Sequence, residues 1–307
     1  MLSIAPLLIL TVEVVLGQDK IYSLDMANKS VDDKYDDCRK ETSDLVFTSL
    51  LKNEIDKNPT YKDAWEEGKT YAKTPADNLT MNHSIAIYVY TGRRVYADFN
   101  YAVRNGKHNY KRRLYKWRSL QFLLTEAIQI LNETQNQCHF TFRRTNVEFD
   151  KDVKNKEVRF GSFTSSSLNK TAIKNFGNVS CFEIETCEGA YVANYSAHAE
   201  EKEVLIPPYE KFNVTDIKNN SWCKTVYVLK SLGTKSDLNC IVAKHTPINF
   251  VSNIRSKPKG CCKFGGPVGL PGGDDHGSGT DRAGPDGPLG PDGPLGPDGL
   301  HGPPAQY

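Results

Sequence analysis

Two carboxylates separated by a single residue, Glu201 and Glu203, are candidates for chemistry in the sequence. If the segment from Glu201 to Val204 is extended, both carboxylates project to the same side of the backbone and Lys202 to the other. Such a pair suits cleavage of a sugar C–N or C–O bond, because one carboxylate stabilises an oxocarbenium-like centre while the other orients or deprotonates the nucleophile. Taken alone, the segment fits a solvated charge run better.

Two further segments contain residue types that bind phosphates or sugars. Arg143 ends a short apolar strand, where a guanidinium can pair with a phosphate or brace a carboxylate. Ser165 lies in a hydroxyl-rich turn, Phe160 to Leu168, which can present hydroxyls and backbone donors. Each segment alone also has a structural interpretation, as a surface arginine and as a polar helix cap. No histidine stands at an offset typical of a serine nucleophile.

The elements that must position these residues divide the chain into a helical first half and a strand-rich second half. Apolar residues recur with a 3.6-residue period in two segments, which predicts helices. The first segment has Trp117, Leu120, Leu124, Ile128 and Leu131 on one face, and Arg118, Gln121, Thr125 and Gln129 away from it. The second, 95–104, stops at Asn105-Gly106, a typical C-terminal cap.

Short runs rich in β-branched and aromatic residues predict strands after these helices. The runs are 140–143, 158–163, 182–186, 190–195, 204–206, 225–229 and 240–243. Helices first and strands afterwards indicate an α+β fold with a largely antiparallel, β-rich core. The Gly-rich turn that a Rossmann fold requires is missing from this part of the sequence.

Composition excludes several classes of protein. A net charge of +2 gives no global field that recruits nucleic acid. Hydrophobic residues at 38% and charged residues at 25% are typical of a soluble globular chain and exclude wholly disordered and multi-spanning membrane proteins.

Three features predict a secreted protein. Residues 1–17 contain an apolar run too short to span a bilayer, which favours a cleaved signal peptide over a buried N-terminal element. Eight cysteines without the paired CxxC spacing of a zinc site suit disulfides, although spacing alone does not choose their pairing. Nine Asn-x-Ser/Thr acceptors predict a glycoprotein, at Asn28, Asn78, Asn82, Asn132, Asn169, Asn178, Asn194, Asn213 and Asn219.

Composition also divides the chain into one domain, 18–260, and a tail, 261–307. The tail holds 14 of the 23 Gly and 9 of the 16 Pro. Gly recurs at every third position from Gly284 to Gly302, as in collagen, so a trimer formed through the tail is one interpretation. A disordered tail is favoured, because seven triplets make only a very short triple helix. The tail lacks the terminal apolar run of a glycolipid anchor signal, which favours a secreted product without a membrane span.

Taken together, these motifs resemble the arginine-specific ecto-ADP-ribosyltransferase family. The resemblance lies in the order Arg, aromatic-then-Ser-x-Ser turn, and Glu-x-Glu before Val-Leu-Ile-Pro, and it extends from about Leu45 to Ala243. It implies a helical N-terminal part packed on a core of two β-sheets whose cleft holds NAD. The implied activity is transfer of ADP-ribose from NAD to arginine on an extracellular protein acceptor, with release of nicotinamide and without a metal.

The resemblance assigns roles by motif position. Glu203 is the expected catalytic glutamate, which bonds the ribose 2′-hydroxyl and stabilises the oxocarbenium ion. Glu201 is expected to engage the acceptor guanidinium. Arg143 would hold NAD through its phosphate and ribose side, and Ser165 would support the nicotinamide ribose and the catalytic glutamate. The remaining expected NAD contacts are Phe176, by stacking on nicotinamide, and Tyr90 and Ser196, by lining the cleft.

The family pattern also suggests two disulfides, Cys38 with Cys240 and Cys138 with Cys187. Cys181 and Cys223 would then be left as a third pair.

The sequence departs from the family pattern at two site positions. Arg144 stands where a small Gly is usual, so the resemblance implies that it crowds the cleft or alters how NAD is held. Ser162 stands where many relatives have Gln. Two other functions stay open: an NAD glycohydrolase with water as the acceptor, and a catalytically silent secreted binding module with a collagen-like tail.

Overall fold

Helices make up most of the first half of the described chain. The computed structural model describes residues 21–92 and 94–241. The helices among them are α1 Arg39–Leu45, α2 Leu51–Lys57, α3 Pro59–Tyr71, α4 Met81–Thr91, α5 Tyr96–Asn105, α6 Lys107–Lys111 and α7 Arg118–Gln135, with a π-helical segment, Val46–Leu50, between α1 and α2. The signal peptide expected at 1–17 and the tail at 261–307 lie outside the described residues. The same holds for the triple helix considered for the tail.

Both predicted helices are present, as α5 and α7. The apolar face of α7 lies in the larger hydrophobic core, as its periodicity predicts. Gln121 and Thr125, which lie away from that apolar face, are nevertheless fully buried. The reason for Gln121 is a tertiary contact, because the segment before α1 covers this side and the Val31 carbonyl accepts a hydrogen bond from Gln121 Nε2 at 3.2 Å.

Strands form most of the second half, as an α+β fold requires. They are β1 Ile21–Tyr22, β2 His139–Thr145, β3 Glu148–Phe149, β4 Glu157–Val158, β5 Thr164–Ser167, β6 Ser180–Thr186, β7 Ala190–Tyr191, β8 Glu203–Ile206, β9 Glu210–Asn219 and β10 Thr225–Thr234. Eight of them form one sheet in the order β4-β9-β10-β6-β2-β5-β8-β7, and β1 pairs with β3. Within the large sheet only β10 and β6 run parallel among the described pairs.

The large sheet consists of two parts with a narrow join. Between β2 and β5 the described register contains a single pair, Phe142 with Ser167. On the β2 side, Phe182 of β6 and Tyr227 of β10 belong to a strand core, whereas Leu205 of β8 packs into the helical core. The expected two sheets are therefore two parts of one continuous sheet. Arg143 of β2 lies beside the place where they join.

Several strand bounds differ from the predicted runs. Residues 159–163, expected to be extended, lie between β4 and β5 and belong to neither strand. Arg159 explains the break, because its backbone N–H donates to the Asp25 carbonyl at 2.8 Å instead of to a neighbouring strand. Cys240 and Ile241, the described part of the last predicted run, form a turn in which Cys240 has a positive φ of 60°. β9 was not predicted.

Three disulfides join distant parts of the described chain. They link Cys38 with Cys240, Cys138 with Cys187, and Cys181 with Cys223. The two expected pairs and the third pair are thus confirmed. The last of them places the turn between β9 and β10 next to the start of β6.

Candidate active site

Strands β5 and β8 bring a serine cluster next to Glu203. The two strands pair antiparallel, with Ser167 opposite Glu203 and Ser165 opposite Leu205. β8 is buried along its whole length, because Leu205 packs into the helical core and Ile206 into the strand core. The carboxylate at the start of this strand is therefore carried on a rigid support.

Glu203 is almost completely buried, with 3% of its surface exposed. The Ser196 hydroxyl lies 3.4 Å from its Oε2 atom, and the Ser165 hydroxyl also interacts with the carboxyl group. The buried Oε1 atom accepts no hydrogen bond from the described residues. A buried acceptor without a partner among the described residues fits a hydroxyl donor of a bound substrate.

Burial raises the pKa of the Glu203 carboxyl from 4.5 to about 7. Hydrogen bonding from Ser165 and Ser196 and the positive charge of Arg143 lower this pKa, while the negative charge of Glu201 raises it. Desolvation is the largest of these causes. A buried carboxyl with a charged partner and a pKa near neutrality is a common feature of catalytic sites.

Glu201 lies in a turn, which corrects the expectation of an extended Glu-x-Glu segment. It ends a 3₁₀ turn, Ala199–Glu201, and Lys202 then adopts the left-handed region with φ 49°. The Ser167 hydroxyl holds this turn by donating to the Glu201 carbonyl at 2.5 Å. The carboxylates are still close enough to interact, since the charge of Glu201 raises the pKa of Glu203.

Arg143 approaches this pair from the neighbouring part of the sheet. Its Nη1 atom donates to the Ser165 carbonyl at 2.7 Å. The guanidinium therefore bridges the join between β2 and β5, and its charge acts on Glu203. The three motifs that lie far apart in the sequence thus meet at one place.

Arg144, which the resemblance expects to crowd the cleft, is anchored to an indole ring. Its guanidinium carbon lies 4.7 Å from the ring centroid of Trp222, and its Nη1 atom donates to the Gly177 carbonyl at 3.2 Å. Nη1 also lies 3.7 Å from Sγ of Cys223, so the third disulfide is part of the same contact. Sequence reasoning missed Trp222, which has no motif of its own.

The three further NAD contacts expected from the resemblance lie in different surroundings. Ser196 is buried and bonds to Glu203, as described above. Phe176 ends a 3₁₀ turn, Lys174–Phe176, and is 46% exposed. Tyr90 of α4 is fully buried, and its hydroxyl donates to the carbonyl of Phe163, two positions before Ser165. Ser167 was not predicted, although it belongs to the Ser-x-Ser element that drew attention to Ser165.

Comparisons with known proteins show the family of this chain. The model of one protein family, described as NAD:arginine ADP-ribosyltransferase, matches residues 24–237. This chain belongs to the NAD:arginine ADP-ribosyltransferase family. Among its relatives, an NAD(P)(+)–arginine ADP-ribosyltransferase 2 of Gallus gallus is 33% identical, over 72% of this chain and 73% of the relative. A T-cell ecto-ADP-ribosyltransferase 2 of Mus musculus is 32% identical, over 74% of this chain and 79% of the relative.

Solved structures of an ADP-ribosyltransferase also match the fold. Two crystal structures of variants of the eukaryotic mono-ADP-ribosyltransferase ART2.2, one in complex with NADH and one with NAD, each have a TM-score of 0.61 and 29% identity. Each match covers 71% of this chain and 98% of the other. The family, the fold class and NAD-dependent transfer to arginine, all expected from the sequence, are thereby confirmed.

Two further observations concern this ADP-ribosyltransferase as a whole. One group of side chains at the edge of the site could offer ligand atoms to a metal ion, within 4.8 Å of one another: His198, Glu200 and Glu201. The expectation that the reaction needs no metal stays a prediction. Within residues 21–92 and 94–241, no helix has both the length and the apolar character that crossing a bilayer requires.

Proposed function

We propose that Glu203, Glu201, Arg143 and Ser165 carry out the transfer of ADP-ribose from NAD to an arginine side chain. The observation that carries this assignment is the Glu203 carboxyl, which is buried, held through Ser196 on Oε2, and has an Oε1 atom without a hydrogen bond from the described residues. Oε1 accepts a hydrogen bond from the 2′-hydroxyl of the nicotinamide ribose.

Glu203 lowers the barrier to breaking the glycosidic bond of NAD. When the bond between ribose C1′ and nicotinamide breaks, the electron pair leaves with nicotinamide and positive charge develops on the ribose. A preplaced carboxylate gains interaction energy only as that charge develops, so it stabilises the transition state more than the ground state. Only the ionised form does this, so activity is expected to rise as the pH increases through about 7.

Glu201 acts on the acceptor. A guanidinium with a pKa above about 12 is a poor nucleophile, so it must be oriented and must lose a proton as its nitrogen bonds to C1′. The Glu201 carboxylate accepts that proton. Its place on a partly exposed turn, beside the buried Glu203, supports a role at the side where a protein acceptor arrives.

The remaining residues position NAD and the catalytic carboxylate. Arg143 binds the phosphate and ribose side of NAD, in keeping with its place at the join of the sheet. Ser165 and Ser196 orient Glu203, and Phe176 stacks on nicotinamide from its exposed turn.

The test uses the secreted full-length chain, NAD and the small guanidino acceptor agmatine, with products separated by mass. Wild type should yield ADP-ribosyl-agmatine and nicotinamide. Glu203→Gln should lose both transfer and NAD cleavage by at least about a hundredfold. Glu201→Gln should lose transfer and keep NAD cleavage, since only the acceptor step needs it. Glu200→Gln is the matched control, because the exposed carboxylate of Glu200 lies next to Glu201 on the same turn.

Each contrary result points to a different function. Free ADP-ribose as the sole product, with or without agmatine, would identify an NAD glycohydrolase. No turnover by wild type would leave a binding module on an enzyme fold. Equal loss in Glu200→Gln and Glu203→Gln would remove the special role of Glu203.

We also propose that the protein is secreted and glycosylated. The three disulfides support an oxidising compartment. Five of the nine acceptor asparagines are exposed, Asn28, Asn78, Asn178, Asn194 and Asn219. Asn132 differs from them, because its side-chain amide donates to the carbonyls of Cys187 at 2.9 Å and Gly189 at 2.8 Å. Peptide mapping of protein from the culture medium, after enzymatic deglycosylation, should show modification at exposed acceptors and an unmodified Asn132.

A further inference from the structure

The loop between β7 and β8 brings a glycosylation acceptor close to Glu203. Asn194, Tyr195 and Ser196 form an Asn-x-Ser acceptor sequence, and Asn194 is exposed. The serine of this sequence is the same Ser196 whose hydroxyl lies 3.4 Å from Oε2 of Glu203. The acceptor sequence therefore overlaps the candidate active site.

Strand pairing limits how far Asn194 lies from Glu203. The Val192 N–H donates to the Glu203 carbonyl at 2.9 Å, which continues the antiparallel register of β7 with β8. Paired residues of this kind have Cα atoms about 5.5 Å apart, and two further residues add at most about 7 Å. The Cα atoms of Asn194 and Glu203 therefore lie within about 13 Å of each other. Glu201, the residue proposed to act on the acceptor, belongs to the same loop.

The loop that carries Asn194 is fixed to the helical part of the chain. Tyr195 is buried, and its hydroxyl donates to Oδ2 of Asp77 at 2.9 Å. The Ala197 N–H donates to the hydroxyl of Thr91, the last residue of α4, at 2.9 Å. Because the loop is held on the C-terminal side of the asparagine, a glycan on Asn194 is attached at a fixed place beside the site.

Ser196 is buried in the folded chain, but this does not exclude a glycan on Asn194. The sugars are transferred while the chain is still extended, and they are attached to the asparagine alone. The folded structure therefore needs room only at Asn194, which is exposed. Asn132 differs in this respect, because the fold uses its side-chain amide for two hydrogen bonds.

We propose that a glycan on Asn194 selects the acceptor of the transferase by restricting access to the site. The proposal deepens the proposed function and rests on it, because it concerns the molecule that supplies the arginine. A folded protein with a broad surface must displace a hydrated sugar chain that begins within about 13 Å of Glu203. An arginine on a small molecule or on a flexible segment passes beside that chain. The favoured substrates are therefore arginines in flexible or protruding segments of proteins.

The test compares acceptors that present the same arginines in a folded and an unfolded state. The secreted full-length protein is assayed with NAD and with agmatine, folded lysozyme, or lysozyme unfolded by reduction and alkylation. In Asn194→Gln the rate with folded lysozyme should rise about fivefold, while the other two rates change less than about twofold. Wild type trimmed by an endoglycosidase to a single sugar at each site should behave like the variant, which excludes an effect of the changed side chain.

Asn219→Gln is the matched control. Asn219 is also an exposed acceptor asparagine, at the end of β9. Four strands separate β9 from β8 in the large sheet, so at about 4.8 Å per step the two strands lie about 24 Å apart. Removal of a glycan from Asn219 should leave the rates with folded and unfolded lysozyme unchanged.

Three results would overturn the proposal. One is peptide mapping that finds Asn194 unmodified in the secreted protein. Another is an unchanged rate with folded lysozyme in Asn194→Gln while agmatine transfer is normal. The third is an equal rise in Asn219→Gln, since the effect would then belong to glycans in general. Absence of agmatine transfer in wild type is a different result, because it would remove the proposed function and this inference with it.

Discussion

At the scale of single residues, Glu203 is a carboxylate in a place where its charge is costly. Burial raises its pKa from 4.5 to about 7, so the folded protein binds a proton there that the unfolded chain has already lost. Between these values the folded state holds more protons than the unfolded state, and stability falls as pH rises. Glu203→Gln should therefore raise the free energy of unfolding by about 2 to 3 kcal/mol at pH 8.

The sign of this effect distinguishes it from ordinary variation between mutants. Below about pH 4.5 both states are protonated in wild type, so the gain of Glu203→Gln should vanish there. Urea unfolding of both proteins at pH 4.5, 6 and 8 measures the difference. Glu210 and Asp33 also have raised pKa values, about 7 and about 6, but they are common to both proteins and cancel. Equal stability at pH 8 would contradict the prediction.

The sequence predicts the identity of the site residues better than their surroundings. Arg143, Ser165, Glu201 and Glu203 could be found because each belongs to a motif. Tyr90 could be named, but its complete burial could not be predicted, because burial depends on how α4 packs behind β5. The contact between Arg144 and Trp222 could not be predicted either. The indole is brought to Arg144 by a disulfide between two cysteines that lie 42 residues apart in the sequence.

At the scale of elements, β5 and the residue after it hold the turn Ala199–Glu201 and Lys202. Ser167 donates to the Glu201 carbonyl at 2.5 Å, and the Leu168 N–H donates to the Lys202 carbonyl at 3.1 Å. Ser167→Ala should loosen the turn that carries Glu201 while β8 still holds Glu203. We expect agmatine transfer to fall about tenfold and NAD cleavage to change less than about twofold, in line with the loss of one buried hydrogen bond.

Ser166→Ala is the control for this prediction. Ser166 is the adjacent buried serine of the same strand, and its hydroxyl donates to the Val204 carbonyl at 2.9 Å, away from the turn. Initial rates of transfer and of nicotinamide release, measured on the same samples, give the ratio of the two reactions. Equal fall of both rates in Ser167→Ala, or an equal change of the ratio in Ser166→Ala, would contradict the role of the turn.

Whether a segment is a helix or a strand could be predicted where one face of the segment is apolar. The residues at which each element begins and ends could not. α7 and β6 follow from their apolar residues. β9 was missed because polar residues alternate with Phe212 and Val214 along it, and the long run of ten residues is stabilised by pairing with β10. The Glu-x-Glu segment was expected to be extended because nothing in its sequence marks the left-handed Lys202.

At the scale of the whole molecule, one buried ion pair joins three distant segments. Arg159 and Asp32 have completely buried side chains 2.8 Å apart. Arg159 also donates to the carbonyls of Met26 and Lys235, and Asp32 accepts from the backbone N–H of Leu238. The pair therefore ties the segment before α1 to the link between β4 and β5 and to the chain that follows β10. No sequence pattern predicts it, since its members lie 127 residues apart.

Asp32→Asn should lower the free energy of unfolding by about 3 kcal/mol, because it leaves the Arg159 charge buried without a counter-charge. Activity per folded molecule should stay within about twofold of wild type, since neither residue belongs to the site. Asp216→Asn, which breaks the exposed pair of Lys154 and Asp216, should cost far less than Asp32→Asn, because solvent screens that pair. Replacing both buried partners, Asp32→Leu with Arg159→Met, should cost less than Asp32→Asn, because no buried charge is left. Urea unfolding with the disulfides intact measures all four proteins. If Asp32→Asn stays within 1 kcal/mol of wild type, the tie between these segments rests on the Cys38–Cys240 disulfide and not on the ion pair.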